Sequence, residues 1–233
     1  MTPTHKVTVA LDFANLADAK TLVSQLNPEY CNVKVGKELF TATGPVFIEY
    51  LHNKNFKVFL DLKFHDIPTT VKKACEAASQ LGVWMLNVHA SGGSNMLEAA
   101  LEGTSKAKQP ALLIAVTVLT SMDQKTLEEI GVSGNLEDQV LRLAKLTERS
   151  GLQGIVCSAK DLGFLKDQFN PSFLFVTPGI RMADDVTNDQ VRTMTPAEAI
   201  KAGSSHLVIG RPITQSKDPS KTLEKIYLEI NQG

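Results

Sequence analysis

Apolar and polar positions along the chain fall into one recurring pattern. A short β-branched run closes on polar or glycine residues, and a segment with helical apolar spacing follows. The apolar runs predict strands at 6–13, 31–36, 57–64, 84–90, 112–120, 154–159, 173–180 and 206–213. Strand starts recur every ~20–40 residues, the span of a β–α unit. Eight such units fit a single (β/α)8 TIM barrel. An open doubly wound sheet fits the local pattern nearly as well, and the count of eight is what favours closure. Helix signals lie between the runs. Asn15, with Asp18 three residues later, resembles a capping box. Thr195-Pro196-Ala197-Glu198 sets out an N-cap, a first-turn proline and a carboxylate three beyond the cap, and Gly203 suits the stop. In the last helix, from about Pro219, Leu223, Ile226, Tyr227 and Ile230 share a face. With no linker or low-complexity tract in view, one domain over residues 1–233 is expected.

Composition narrows the function classes. Hydrophobic residues make up 43% of the chain, enough for a continuous core, and 24 Lys+Arg nearly balance 25 Asp+Glu. That balance argues against a general nucleic-acid binder but leaves room for a local basic site. Cys31, Cys75 and Cys157 stand far apart with no C-x-x-C pair, so neither a zinc site nor a disulfide framework is expected. They read as reduced, buried thiols of a cytoplasmic protein. The start, Met1 to Lys6, is short and polar, which predicts no signal peptide, and no apolar run is long enough to span a bilayer.

In a barrel of this kind the chemistry sits at the C-terminal strand ends. Those ends carry Asp12, Lys34, Asp61 with Lys63, His89, Thr120, Pro178-Gly179-Ile180-Arg181 and Gly210-Arg211. Strand alternation sends Val7, Val9, Leu11 and Phe13 toward the helices and Asp12 inward. It likewise turns Lys34 inward between Val33 and Val35, and Asp61 and Lys63 inward with Phe59. Charges there are costly to desolvate unless paired. A structural ion-pair network plugging the barrel is the plainer alternative, but mixed-sign groups converging on the catalytic face favour function. Loops after the seventh and eighth strands often cradle phosphate, and here each sets an Arg beside a Gly: Gly179 with Arg181, Gly210 with Arg211. The polar stretch between Arg181 and Thr195 exceeds the usual ~2–6 residues of such loops and suggests a lid, the alternative being an ordinary surface loop. His65 and His89 read as structural, His89 filling the barrel, and Trp84 as core.

Asp61-Leu62-Lys63-Phe64-His65-Asp66-Ile67-Pro68 forms a D-x-K-x-x-D pattern followed by Ile-Pro. This segment resembles the signature of the orotidine 5'-monophosphate decarboxylases of the bacterial, monofunctional type. Asp12-Phe13, Lys34-Val35-Gly36, Asn87-Val88-His89-Ala90, Leu119-Thr120-Ser121, Pro178-Gly179-Ile180-Arg181 and Gly210-Arg211-Pro212 resemble further family motifs in family order, over essentially the whole chain. Thr69 stands where the family pattern leads one to expect Asn. The resemblance implies decarboxylation of orotidine 5'-monophosphate to UMP and CO2 in pyrimidine biosynthesis, without cofactor or metal. It implies Lys63 as the catalytic acid, in a charged array with Asp61, Asp66 and Lys34. Asp12 and Lys34 are expected at the ribose hydroxyls and Thr120 and Ser121 near the pyrimidine. Pro178 is expected to line the substrate site, Gln190, Gly210 and Arg211 to hold the phosphate, and Arg181 to order the loop. Asp66, Ile67 and Thr70 are expected to reach the partner's site across a homodimer. Two rivals differ in chemistry. A related sugar-phosphate enzyme would use Mg2+, but Lys34 stands where those relatives carry an acidic ligand. A non-catalytic nucleotide-binding barrel would tolerate loss of the charged array.

Overall fold

A computed structural model of the chain describes residues 5–182 and 194–232. Eight strands are present: β1 (Val7–Leu11), β2 (Asn32–Gly36), β3 (Val58–Phe64), β4 (Met85–His89), β5 (Leu112–Val116), β6 (Gly154–Val156), β7 (Leu174–Thr177) and β8 (His206–Ile209). All neighbours pair in parallel, and β8 returns to β1, so the sheet closes into a barrel in sequence order. Around it lie α1 (Leu16–Val23), α2 (Lys37–Thr43), α3 (Pro45–Asn53), α4 (Pro68–Gln80), α5 (Gly93–Thr104), α6 (Gln124–Glu129), α7 (Leu136–Arg149), α8 (Leu162–Leu165), α9 (Pro196–Ala202), α10 (Arg211–Thr214) and α11 (Pro219–Gln232). The (β/α)8 expectation is met, and the open sheet is excluded.

Alternation sorts the core into two layers. Val7, Val9, Leu11, Val33, Val35, Val58 and Leu60 join the large cluster between sheet and helices. Ala10, Phe59, Met85, Ile114, Val176 and Val208 fill the barrel interior as a second cluster. Burying a side chain of Val, Leu or Phe size contributes about 1.5–3 kcal/mol, so a one-residue slip of any strand would exchange both layers at large cost. The three cysteines are buried and unpaired. Among the described residues no helix is long and apolar enough to cross a membrane.

Caps form where the sequence places them. The Thr195 side chain accepts the Glu198 N–H, Glu198 accepts the Thr195 N–H at 2.9 Å, and Gly203 ends α9 in the left-handed region at φ 114°. At α1 the Asn15 side chain accepts the Asp18 N–H at 3.0 Å. Asp18 takes the Asn15 side-chain amide rather than its backbone N–H, so the box is only half made. In α11 Leu223, Ile226 and Ile230 are buried, and Tyr227 stacks on Tyr30 with ring centres 4.7 Å apart.

Several strands stop short of the lengths read from sequence. The run 112–120 leaves the sheet after Val116, the last residue paired with β6; the Thr117 N–H makes the final ladder bond to the Val156 carbonyl, and its hydroxyl donates to the same oxygen at 3.1 Å. Thr120 therefore lies in the following turn, not in a strand. The run 173–180 ends at Thr177, because Pro178 has no N–H to give and Gly179 turns the chain at φ 81°. The run 206–213 ends at Ile209, and Gly210-Arg211-Pro212 opens α10, with proline at a helix start where it is favoured.

Candidate active site

Three adjacent strands build one row of charges. Lys34 pairs in register with Ala10 of β1 and Phe59 of β3. Two residues further along those neighbours, on the same inward face, come Asp12 and Asp61. Lys34 Nζ lies 3.1 Å from Asp12 Oδ1 and 3.3 Å from Asp61 Oδ2. Asp61 Oδ1 in turn meets Lys63 Nζ at 2.5 Å. Signs thus alternate along Asp12, Lys34, Asp61 and Lys63. The side chains of Lys34 and Asp61 are only 10% and 11% exposed, against 25% for Lys63 and 65% for Asp12.

Mutual pairing outweighs the cost of burial here. Burial works against the Lys34 ammonium, yet Asp61 and Asp12 overcome it and its pKa is raised. Burial likewise pushes the Asp61 carboxyl up, but Lys34, Lys63 and the Asn87 amide more than offset it and its pKa is lowered. Both groups are therefore held in their charged forms. Gly36 lets the row close: a Cβ there would stand 3.3 Å from Lys34 Nζ and 3.5 Å from Asp12 Oδ1.

Simple alternation describes Lys63 incompletely. Pairing of β3 with β4 runs Leu60↔Leu86 and then Phe64↔Val88, so three residues of β3 face Asn87 alone. Lys63 takes up this bulge in the left-handed region at φ 51°, a conformation that costs a non-glycine residue about 1–2 kcal/mol. The Asn87 side chain, fully buried, accepts the Lys63 backbone N–H at 2.8 Å and donates to Asp61 Oδ1 at 2.7 Å.

The row forms one wall of a cleft of about 350 Å³ at the C-terminal mouth of the barrel. Ala10, Phe59, Val116, Val156 and Val208 make its apolar floor, and Thr120, Pro178, Gly179, Arg181, Gly210 and Arg211 line it as well. Among the described residues, four cationic side chains (Lys34, Lys63, Arg181, Arg211) face it, against two anionic ones (Asp12, Asp61). The loop after β7 is tied at both ends: Ile180 bridges Met194, and the Arg181 N–H donates to the Met194 carbonyl at 3.1 Å.

A family model described as "Orotidine 5'-phosphate decarboxylase / HUMPS family" matches residues 5–226. The chain belongs to this family. It is 53% identical to orotidine 5'-phosphate decarboxylase of Halorhodospira halophila, over 97% of this chain and 95% of the relative. The protein of that name from Hydrogenovibrio crunogenus is 52% identical over 99% and 98%. Among solved structures, that of orotidine 5'-phosphate decarboxylase from Lactobacillus acidophilus superposes with a TM-score of 0.88 at 39% identity, covering 97% of this chain and 99% of that one.

For this family member the structure gathers Asp12, Lys34, Asp61, Lys63, Thr120, Pro178, Arg181, Gly210 and Arg211 around one cleft. Ser121 follows Thr120 as an exposed turn residue and is not among the lining groups. Asp66, Ile67 and Thr70 lie outside the lining too, exposed at the rim where α4 begins, Ile67 67% exposed. Asp66 there accepts the Ile67 N–H at 2.7 Å. Gln190 lies outside the described residues. His89 is half-buried, its ring centre 5.4 Å from that of His65. Burial first, then His65, Lys37 and Lys63, lower its pKa to about 4, so it stands neutral. Asn87 stands in the Asn87-Val88-His89-Ala90 motif, but no role attaches to it from the sequence. The available signal was an amide at an inward position of β4, between Met85 and His89 on the same face.

Proposed function

We propose that the chain converts orotidine 5'-monophosphate to UMP and CO2, with Lys63 as the group that meets the developing charge. The observation that carries this reading is the alternating row ending in the Lys63 ammonium above an apolar floor, with Arg181 and Arg211 lining the same cleft. A nucleotide bearing both a phosphate and a ring carboxylate suits a cleft in which cations outnumber anions among the described residues. Breaking the bond from C6 to the carboxylate leaves the electron pair in an sp2 orbital that the ring π system cannot accept. With no electron sink in the substrate, stabilisation falls to a fixed charge beside C6. The Lys63 ammonium supplies it and then transfers a proton to C6, the resulting amine regaining its proton from water. Asp61 holds that ammonium in place before reaction, so little reorganisation is needed.

Other residues take supporting roles in this reading. Asp12 and Lys34 hold the ribose hydroxyls, Thr120 and Ser121 sit near the pyrimidine, and Pro178 closes one side. Gly210 and Arg211, with Gln190, grip the phosphate, and Arg181 orders the loop. Asp66, Ile67 and Thr70 complete the site of a second copy in a homodimer, which accounts for an isoleucine left exposed at the rim. Lys34 fills the space between the two carboxylates with its own ammonium, which favours cofactor-free chemistry over a Mg2+ enzyme.

The test is the absorbance change of orotidine 5'-monophosphate in EDTA, with Lys63→Ala beside the parent and UMP binding measured by calorimetry. Metal-independent turnover, abolished in Lys63→Ala while UMP still binds, is the expected result. A folded parent without turnover, or Lys63→Ala at the parental rate, overturns the reading.

A further inference from the structure

We infer that Asn87 is a positioning residue for the decarboxylation: a two-ended amide clip that sets both the backbone of Lys63 and the rotation of the Asp61 carboxylate. The inference rests on the function proposed above and extends it to a residue outside the cleft lining.

Three observations converge on Asn87. First, its two ends are spent on two members of the charged row, the carbonyl on the Lys63 N–H and the amide N–H on Asp61 Oδ1. Second, Lys63 occupies a left-handed backbone that its side chain disfavours, inside a break in the β3–β4 register directly opposite Asn87. Left-handed lysine needs an outside restraint, and the Asn87 side-chain carbonyl supplies it at the Lys63 N–H within the bulge. Third, Asp61 must present Oδ1 to Lys63 and Oδ2 to Lys34 at once. A carboxylate rotates about its last bond, and the Asn87 N–H fixes that rotation by claiming Oδ1. Neither end faces bulk solvent, because Asn87 is fully buried. No shorter or purely apolar side chain at this position can hold both groups. The clip therefore converts a strand irregularity into a fixed ammonium.

Asn87→Ala and Asn87→Asp separate this role from simple packing. Asn87→Asp keeps the size of the side chain and its acceptor for the Lys63 N–H, but loses the donor and sets a second carboxylate against Asp61. Both variants are expected to lose about 10²-fold in kcat, the scale of a small misplacement of a catalytic group, with KM changed far less. Carbon-13 NMR of the Asp61 carboxyl is expected to show its titration midpoint raised in both. The titratable groups facing it are Lys34 of β2, Lys63 of its own strand and His89 of β4, with Asp12 of β1 behind Lys34. A merely structural asparagine would lower thermal stability and leave the kcat to KM split and the midpoint alone. Folded variants with parental kcat and an unmoved midpoint overturn the inference. Should Asn87→Ala fail to fold, Asn87→Ser, uncharged and too short to reach both groups, decides by the same two readings. A parent without turnover would sink the functional reading alone, and the NMR midpoint would still decide the clip.

Discussion

Replacing Asp61 with Asn tests the charged row as a unit. The change keeps the shape and removes one charge from between two ammoniums, at a side chain 11% exposed. At an effective dielectric constant of about 20, unit charges ~4 Å apart interact by about 4 kcal/mol. Breaking a buried pair by removing one partner costs about 3–5 kcal/mol. The lower end applies here, because Lys34 keeps Asp12 at 3.1 Å and Lys63 is a quarter open to water. Asp61→Asn should therefore lose about 3 kcal/mol at pH 7 by urea unfolding, with an unchanged dependence on urea. The pH dependence follows from the lowered Asp61 pKa. Its contribution is full above the ordinary value of 3.8 and disappears as pH falls through the lower folded value. Parent and variant should then differ by the full amount at pH 6 and converge only under strongly acid conditions. A loss below about 0.5 kcal/mol at pH 7, the level of an ordinary surface substitution, would refute the claim that pairing outweighs burial in this row.

The remaining predictions address other parts of the site. Lys63→Gly and Lys63→Ala should both lack turnover, but the glycine variant should be more stable by about 1 kcal/mol in thermal unfolding, since only glycine accepts φ 51° without cost; equal stabilities would mean the backbone is unstrained there. Arg211→Ala should cost roughly 2–5 kcal/mol in kcat/KM for the nucleotide and far less for a phosphate-free nucleoside, and equal losses would remove Arg211 from the phosphate site. His89 has a pKa lowered from 6.5 to about 4, so its share of stability is full above pH 6.5 and lost as pH falls toward 4. Thermal melts of His89→Gln should accordingly change less between pH 7 and pH 5 than those of the parent, although His5, His52 and His206, also lowered, keep part of the slope.

How much of this was legible in the sequence depends on the range of the interaction concerned. Period-two alternation correctly turned Asp12, Lys34 and Asp61 toward the cleft at the barrel mouth, because each follows apolar neighbours whose outward burial leaves no other choice. The capping residues of α9 were equally readable, being local. Strand ends were not. Thr117 is a good strand former, yet β5 ends before it where its partner β6 stops at Val156, 39 residues away in sequence. The bulge at Lys63 left no mark either, since lysine gives no hint of a left-handed backbone and the restraint comes from another strand. The rim segment Asp66 to Thr70 was recognisable as part of a family pattern, yet one chain leaves it outside its own cleft.

Asp61 has both oxygens engaged, with Oδ1 taking Lys63 and Asn87 and Oδ2 taking Lys34. A carboxylate so occupied has little room for a hydrogen of its own, which makes it a fixture and not a relay. Within the buried part of the row only Lys63 is open enough to exchange with bulk water. If Lys63 is the proton donor, as proposed, the cycle needs one delivery and one refill, both at the same nitrogen, and nothing behind it has to reset. Product formed in heavy water should carry a single deuterium at C6, and the speed of refilling should depend on how often the mouth of the barrel opens to solvent.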